Sequence, residues 1–329
     1  MLLALPLLAL FLAPNTHAAE ADNFTARTRD VADISSPVNI LANGYLRSSV
    51  DAANAVGACD EDALYAELQK YFANHSKGEL AKTLLFGHQI PVTVIPIKES
   101  IYREWTVFDG YLVGRKKAAA SPLALSPVVR IGDQIVGVDK FEHMFGMGWI
   151  YFNRHYREGK TLASVMKNGI FREKTVLGGN VLATGVFSYA DLSANFNGMR
   201  FWNHVLQKQD DVLGKGENLG PYVRCENRKW EVNPTKPLDF RNYMDASLDE
   251  SVNCSKFARK AAVEKVRRSL VRLSFADAKG HAVCPVEPEK LEEMKKKYAP
   301  GDVAHLILNT EGIETVKYLS EFSEDLNPR

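Results

Sequence analysis

Residues 139–157 read DKFEHMFGMGWIYFNRHYR, and the rest of the chain is best read outward from them. A helix drawn through this stretch is apolar almost all round: Phe141, Met144, Phe145, Met147, Trp149, Ile150, Tyr151 and Phe152. A helix apolar on every side belongs in a core. Asp139 stands at the N-cap position and Gly159 where a C′ residue closes the last turn. Glu142 and His143 nevertheless fall in the first turn. A buried carboxylate is costly unless paired or neutral, and desolvation raises its pKa, the usual device for a general acid. Helical spacing puts Glu142, Gly146, Trp149 and Asn153 on one stripe. A glycine then leaves room over the carboxylate, and an aromatic ring stands beside it. The plainer account is structural: Glu142 answers the helix macrodipole, and His143 pairs with Asp139 to pin the helix start.

On the N-terminal side, Val128 to Val138 carries Gly132-Asp133 between apolar runs, the pattern of a β-hairpin. On the C-terminal side a short helix is expected from about Thr161 to Lys167, stopping at Asn168-Gly169, with residues 171–187 irregular. Ser188 then opens a second long helix to about Lys208, SYADLSANFNGMRFWNHVL, with Asp191 completing a variant of the capping box. Leu192, Phe196, Met199 and Leu206 form its core stripe. Asp191, Asn195, Gly198 and Trp202 form a second stripe at the spacing seen in the first helix. Functionally, that stripe would line a polar cleft, with Tyr189 and Thr184 as further substrate contacts and a small residue on each helix where substrate approaches. Structurally, Asp191 caps the helix and Asn195 satisfies loop carbonyls.

A third acidic feature lies in residues 240–260, which read as helical and rich in Asp and Asn. Asp245 and Asp249 fall four apart there, beside Glu250 and Asn253, and like charges at that spacing ask for a cation. Arg241, Lys256, Arg259 or a positively charged ligand would serve. Elsewhere, residues 19–58 read as turn-rich, broken at Ser35-Ser36-Pro37 and Asn43-Gly44. A helix is expected from Asp60, with Leu64, Leu68, Tyr71 and Phe72 on one face. Val92 to Ile97 fits a short edge strand and Ala118 to Pro127 a linker. Residues 209–238 read as a loop with a strand at Tyr222 to Cys225. Val263 to Phe275 follows, then a charged surface helix from Glu287 to Tyr298, and the tail after Glu321 is expected to fray. The chain divides into an N-terminal helical region with linker (19–127), a core (128–275) and a C-terminal helical extension (276–329).

The first residues bear on compartment. LLALPLLALFLA at 2–13 is too short to span a bilayer but fits the apolar region of a signal peptide, with Thr16-His17-Ala18 as its cleavage signal. Residues 1–18 are therefore expected to direct export, to the periplasm or beyond. Cys59, Cys225, Cys254 and Cys284 then allow three full pairings. One or two disulfides are expected in the C-terminal half, with Cys59 the candidate free thiol. The 329 residues are 46% hydrophobic, which suits a packed core, and 41 basic against 40 acidic residues argue against general nucleic-acid binding. No later stretch approaches a membrane span.

DKFEHMFGMG followed by FSYADLSANFNGMRFW resembles the deacetylation-specific lysozymes of predatory bacteria and their exported relatives, over about residues 128–260. The resemblance implies a mainly α (α+β) fold with a lysozyme-like helical core and short β-hairpins. It also implies a periplasmic muramidase acting on peptidoglycan strands whose N-acetylglucosamine has lost its acetyl group. One glutamate would be the general acid, and the matching motif makes it Glu142. One departure stands out: familiar lysozymes hold that glutamate near a helix C-terminus before a hairpin, whereas Glu142 lies at a helix start. The second carboxylate is therefore open, with Asp191 the first candidate and Asp245 with Asp249 the next. Deacetylated glucosamine is an ammonium, which an acidic patch would suit.

The expectation is a monomeric, secreted glycoside hydrolase with catalytic Glu142 and Asp191. Asn195, Tyr189, Thr184, Trp149, Trp202, Asp245 and Asp249 would contact substrate, and no cofactor or metal is required. His-x-x-x-His, His-Glu-x-x-His, Gly-x-Ser-x-Gly and phosphate-loop patterns are absent, so zinc, serine-hydrolase and nucleotide chemistry find no support. The rival is a non-catalytic exported module that binds wall polymer or a partner protein.

Overall fold

The computed structural model describes residues 20–114, 122, 124–174 and 184–316. The expected signal peptide, half of the expected linker, the 175–183 part of the expected irregular stretch and the C-terminal tail lie outside these residues. Helix dominates, and the strands among the described residues form three two-stranded antiparallel sheets. The mainly helical expectation holds at that level.

Two long helices organise the core. The first, α5, starts at Asp139, directly after the hairpin β1 (Val128–Ile131) and β2 (Gln134–Gly137). It runs through α-helical turns at Asp139–Glu142 and Gly148–Phe152 and π turns at His143–Met147 and Asn153–Arg157. Asp139 is the first helical residue rather than the cap, and Gly159, at φ +68°, follows the last turn as expected. The second, α7 (Tyr189–Leu206), has Ser188 as its N-cap, whose Oγ accepts from the Asp191 N–H at 3.2 Å. The two helices cross where glycine meets glycine. A Cβ on Gly148 would lie 2.6 Å from the Gly198 Cα, and one on Gly198 would lie 2.0 Å from the Met144 carbonyl oxygen. Gly198 is thus where two backbones touch, not an opening for substrate.

Three expectations are corrected. The stretch read as turn-rich contains α2 (Ser35–Val56), a 22-residue helix. Val38, Ala42, Leu46, Val50 and Ala53 give it a buried face. Pro37 sits in its first turn, where no intrahelical N–H bond is lost, and Asn43 donates to the Asn39 and Leu238 carbonyls instead of breaking the helix. The short helix after Gly159, α6, continues to Lys174 (Leu162–Lys174). Residues 240–259 form no α-helix but two single 3₁₀ turns, at Phe240–Asn242 and Ala246–Leu248, and of the expected stretch only Lys260 is α-helical. There Asp239, Asp245 and Asp249 each accept the N–H two residues on, so their side chains cap turns in place of helical bonds.

Other elements follow the reading more closely. α3 (Glu61–Gln69) is capped by Asp60, and α4 (Glu79–Phe86) follows. Val92–Ile97 pairs only at Thr93, with Val128. β4 (Val223–Glu226) pairs with an unforeseen β5 (Lys229–Val232) across Asn227 and Arg228, both at positive φ. β3 (Val186–Phe187) pairs with β6 (Lys256–Phe257), and α8 (Lys260–Arg272) and α9 (Pro288–Tyr298) complete the main elements. Leu46, Phe72, Phe145, Phe201, Phe240 and Ile307 belong to one buried cluster, so the core draws on all three sequence regions. Cys59 pairs with Cys225 and Cys254 with Cys284. Cys59 is therefore not free: α3 lies against the β4–β5 hairpin, where Trp230 Nε1 donates to the Asp60 carbonyl.

Candidate active site

Glu142 closes the first turn of α5 and is 8% exposed. Its Oε1 accepts from the His75 backbone N–H at 2.6 Å and lies 2.5 Å from His75 Nδ1. Among the described residues, Oε2 makes no hydrogen bond. His75 sits on a tight turn after α3, held by the Gly78 N–H to the Asn74 carbonyl at 2.7 Å and by Ser76 Oγ to Asn74 Oδ1 at 2.6 Å. Phe86 of α4 meets the imidazole edge-on, with ring centroids 6.1 Å apart. Gly146 faces the same turn: a Cβ there would lie 3.9 Å from the Asn74 Cβ. Glutamate and glycine thus share a face, as the spacing predicted, and that face looks onto residues 74–75.

Two residues earlier on α5, Lys140 is fully buried. Its ammonium reaches Asp139 Oδ2 and Asp191 Oδ1 at 2.6 Å and Glu250 Oε1 at 2.7 Å. Ligand oxygens of these three acids lie within 4.8 Å of one another, a spacing able to hold a cation, and the Lys140 ammonium occupies that role. Burial alone would depress the Lys140 pKa, but the carboxylates of Asp139, Asp191 and Glu250 outweigh it and hold it well above the ordinary lysine value. The acids exceed the base in number. Burial pushes Glu250 up to about 7 against the pull of Lys140. Glu20, also fully buried, is raised well above its ordinary value by desolvation and then by Glu250 and Asp191.

Asp191 is thus the floor of the site rather than its surface. Its other oxygen, Oδ2, lies 3.2 Å from His143 Nε2, and His143 Nδ1 lies 3.2 Å from Asn195 Oδ1. His143 pairs with Asp191 and not, as expected, with Asp139, whose partner is Lys140. Its side chain keeps 13% of its surface exposed while Asp191 keeps none, so the imidazole is the part of this chain of contacts that reaches outward.

The remaining expected contacts scatter. Thr184 is buried and donates from Oγ1 to Glu20 Oε1 at 2.5 Å. Tyr189 is partly exposed, with the Lys256 ammonium 5.8 Å from its ring centre. Trp149 is partly exposed and packs with Tyr65, Phe152 and Trp202. Trp202 is fully buried and donates to the Phe145 carbonyl at 3.1 Å, which leaves no face for a sugar. Asp245 is held by Lys297 and the Tyr298 hydroxyl, and Asp249 by Arg27. These two acids belong to separate ion pairs, and the cations they ask for come from Lys297 and Arg27, not Arg241, Lys256 or Arg259.

Sequence reasoning missed His75, Lys140, Glu20 and Glu250 as partners of the site. Lys140 carried one legible signal, a cation in the first turn of an apolar helix; His75 and Glu20 lie too far away in sequence for any periodic pattern to reach them. The arrangement offers a carboxyl with one anchored and one uncommitted oxygen, beside a histidine buttressed by a buried acid. That is equipment for proton transfer. Comparison with protein-family models, curated proteins and solved structures finds no match to this chain.

Proposed function

We propose that the protein is an exported, lysozyme-like glycoside hydrolase that cleaves peptidoglycan, with Glu142 as the general acid. The observation that carries this reading is the asymmetry of the Glu142 carboxyl. His75 holds Oε1 twice, which fixes the rotamer, while Oε2 remains available to donate a proton to a glycosidic oxygen. The motif resemblance points to the same residue. A β-hairpin adjoins the acid, on the preceding rather than the following side. Asp191 acts from beneath, orienting His143 together with Asn195, and the exposed edge of His143 faces the substrate. Trp149 and Tyr189 retain surface for a sugar ring. Two disulfides suit an oxidising compartment, in keeping with an export leader at residues 1–18. No helix among the described residues is long and apolar enough to cross a membrane.

The test is a muropeptide-release assay on native and enzymatically deacetylated peptidoglycan, comparing wild type with Glu142→Gln. Wild type should release fragments, and the variant should lose about 10²–10⁴-fold in rate, the range for a positioned acid, with an unchanged circular-dichroism spectrum. The ratio between the two substrates reads the acetylation preference. If neither protein cuts either wall and both sediment with it, the chain is a wall-binding module and Glu142 a structural residue.

A further inference from the structure

Beside the Glu142 turn runs a groove of about 1030 Å³. Phe86, Ile90, Val94, Ile95 and Leu125 give it apolar walls, and Phe86 and Val94 are 51% and 63% exposed. Among the described residues its ionisable lining is His88, Lys98 and Arg103, all basic, with no acid. Lys98 has Glu99 only at 4.0 Å, and the Arg103 guanidinium makes no ion pair among the described residues. Trp105 also lines the groove. It is 7% exposed, and its indole nitrogen is sealed from solvent, with no hydrogen-bond partner among the described residues. The benzo edge of the ring faces Gly110 and Gly185, where added Cβ atoms would lie 2.9 and 3.2 Å from Cζ3. Phe86, which walls the groove, is the ring that meets His75, and His75 holds Glu142. One ring, Phe86, therefore links the groove to the turn that holds Glu142.

We propose that this groove is the subsite for the peptide stem of peptidoglycan. A stem peptide has methyl-sized side chains for the apolar walls and free carboxylates for Arg103 and Lys98. The identity of the peptide rests on the hydrolase reading above; the preference for a short, anionic, weakly apolar peptide rests on the groove alone. Through this contact the stem positions its glycan against Glu142.

The test has a binding arm and a cleavage arm. A synthetic stem tetrapeptide with free carboxylates is titrated into the purified chain by calorimetry, beside its amidated form and a fatty acid of similar length. The free-acid peptide is expected to bind. Arg103→Ala, at an exposed position, should weaken it about tenfold, as loss of a charge-assisted hydrogen bond does. In the cleavage arm, wild type should cut stem-bearing glycan faster than glycan stripped of peptide, and Arg103→Ala should erase that advantage without lowering the rate on stripped glycan. Preference for the fatty acid, binding indifferent to amidation, or equal rates on both glycans would overturn the proposal. If the peptide binds as described but wild type cuts no wall, the hydrolase reading falls and the groove keeps its ligand.

Discussion

Lys140 and Glu142 lie two residues apart on one helix and meet opposite fates. Lys140 is sealed, with all three ammonium contacts made to buried acids. Glu142 is held at one oxygen and uncommitted at the other among the described residues. Both are ionisable groups in an apolar helix, and burial alone does not separate them, since Glu142 is only 8% exposed. What separates them is how fully their valences are used. A charge whose every bond is taken cannot take up a substrate without dismantling its own surroundings. A group with one anchored and one open atom is positioned and still reactive. Asp191 falls on the sealed side of this line, and so do both ring nitrogens of His143, held by Asp191 and Asn195, although the imidazole keeps an exposed edge.

The largest effect should come from unsealing the sealed group. Lys140→Met leaves Asp139, Asp191 and Glu250 buried without their cation, and breaking a buried pair from one side costs about 3–5 kcal/mol. Urea denaturation at neutral pH should show that loss, whereas Glu142→Gln should stay within about 0.5 kcal/mol of wild type, because the His75 N–H can still donate to its amide oxygen. Equal losses at the two positions would erase the distinction drawn here. Next in size is the helix crossing. Gly198→Ala places a Cβ against the Met144 carbonyl, and overpacking of this kind costs about 1–3 kcal/mol. Thermal melts would detect it. Since α5 carries both Lys140 and Glu142, the same variant should also lower wall cleavage; full activity with a depressed melting temperature would mean the site tolerates a displaced α5.

The same contrast explains what could be read from the sequence. The β1–β2 hairpin, the Asp60 and Ser188 caps, the burial of α5 and the core stripe of α7 were legible because each rests on residues within a few positions of one another. α2 was misread because Pro37 and Asn43-Gly44 are turn signals only where nothing else engages them, and in the fold the buried face of α2 and the Leu238 carbonyl do. Residues 240–260 were misread for the converse reason: the Asp and Asn side chains bond locally and displace the helix that the composition suggested. Of the candidate site, Glu142 was legible from an apolar helix with an acid in it. That Glu142 and Gly146 share a face was legible too, but the face is covered by a turn 67 residues earlier, which no local pattern specifies. Asp191 was found for its position and not for its true partners, because an ion pair between distant segments leaves no period in either.

The smallest expected effect tests whether the sealed cluster balances its charge with protons. Glu20 and Glu250 have folded-state pKa values raised above the ordinary 4.5, Glu250 to about 7. Between those values the folded chain binds more protons than the unfolded one, so stability must fall as pH rises. The contribution is complete below about pH 4.5 and is lost as pH climbs through 7. Asp211 and Asp245 act in the other direction. Burial opposes their ionised forms, but His204 and Arg200, and Lys297, outweigh it and lower both below 3.8, so their contribution is lost only on strong acidification. Unfolding free energy measured in urea should therefore peak between about pH 4.5 and 6 and decline toward pH 8. Glu20→Gln should flatten that decline, since the amide remains neutral at every pH and can still accept from Thr184. A decline that survives Glu20→Gln unchanged would place the extra proton on Glu250 alone; stability rising with pH across this range would mean that the buried acids stay ionised and that Lys140 and His143 suffice to hold them.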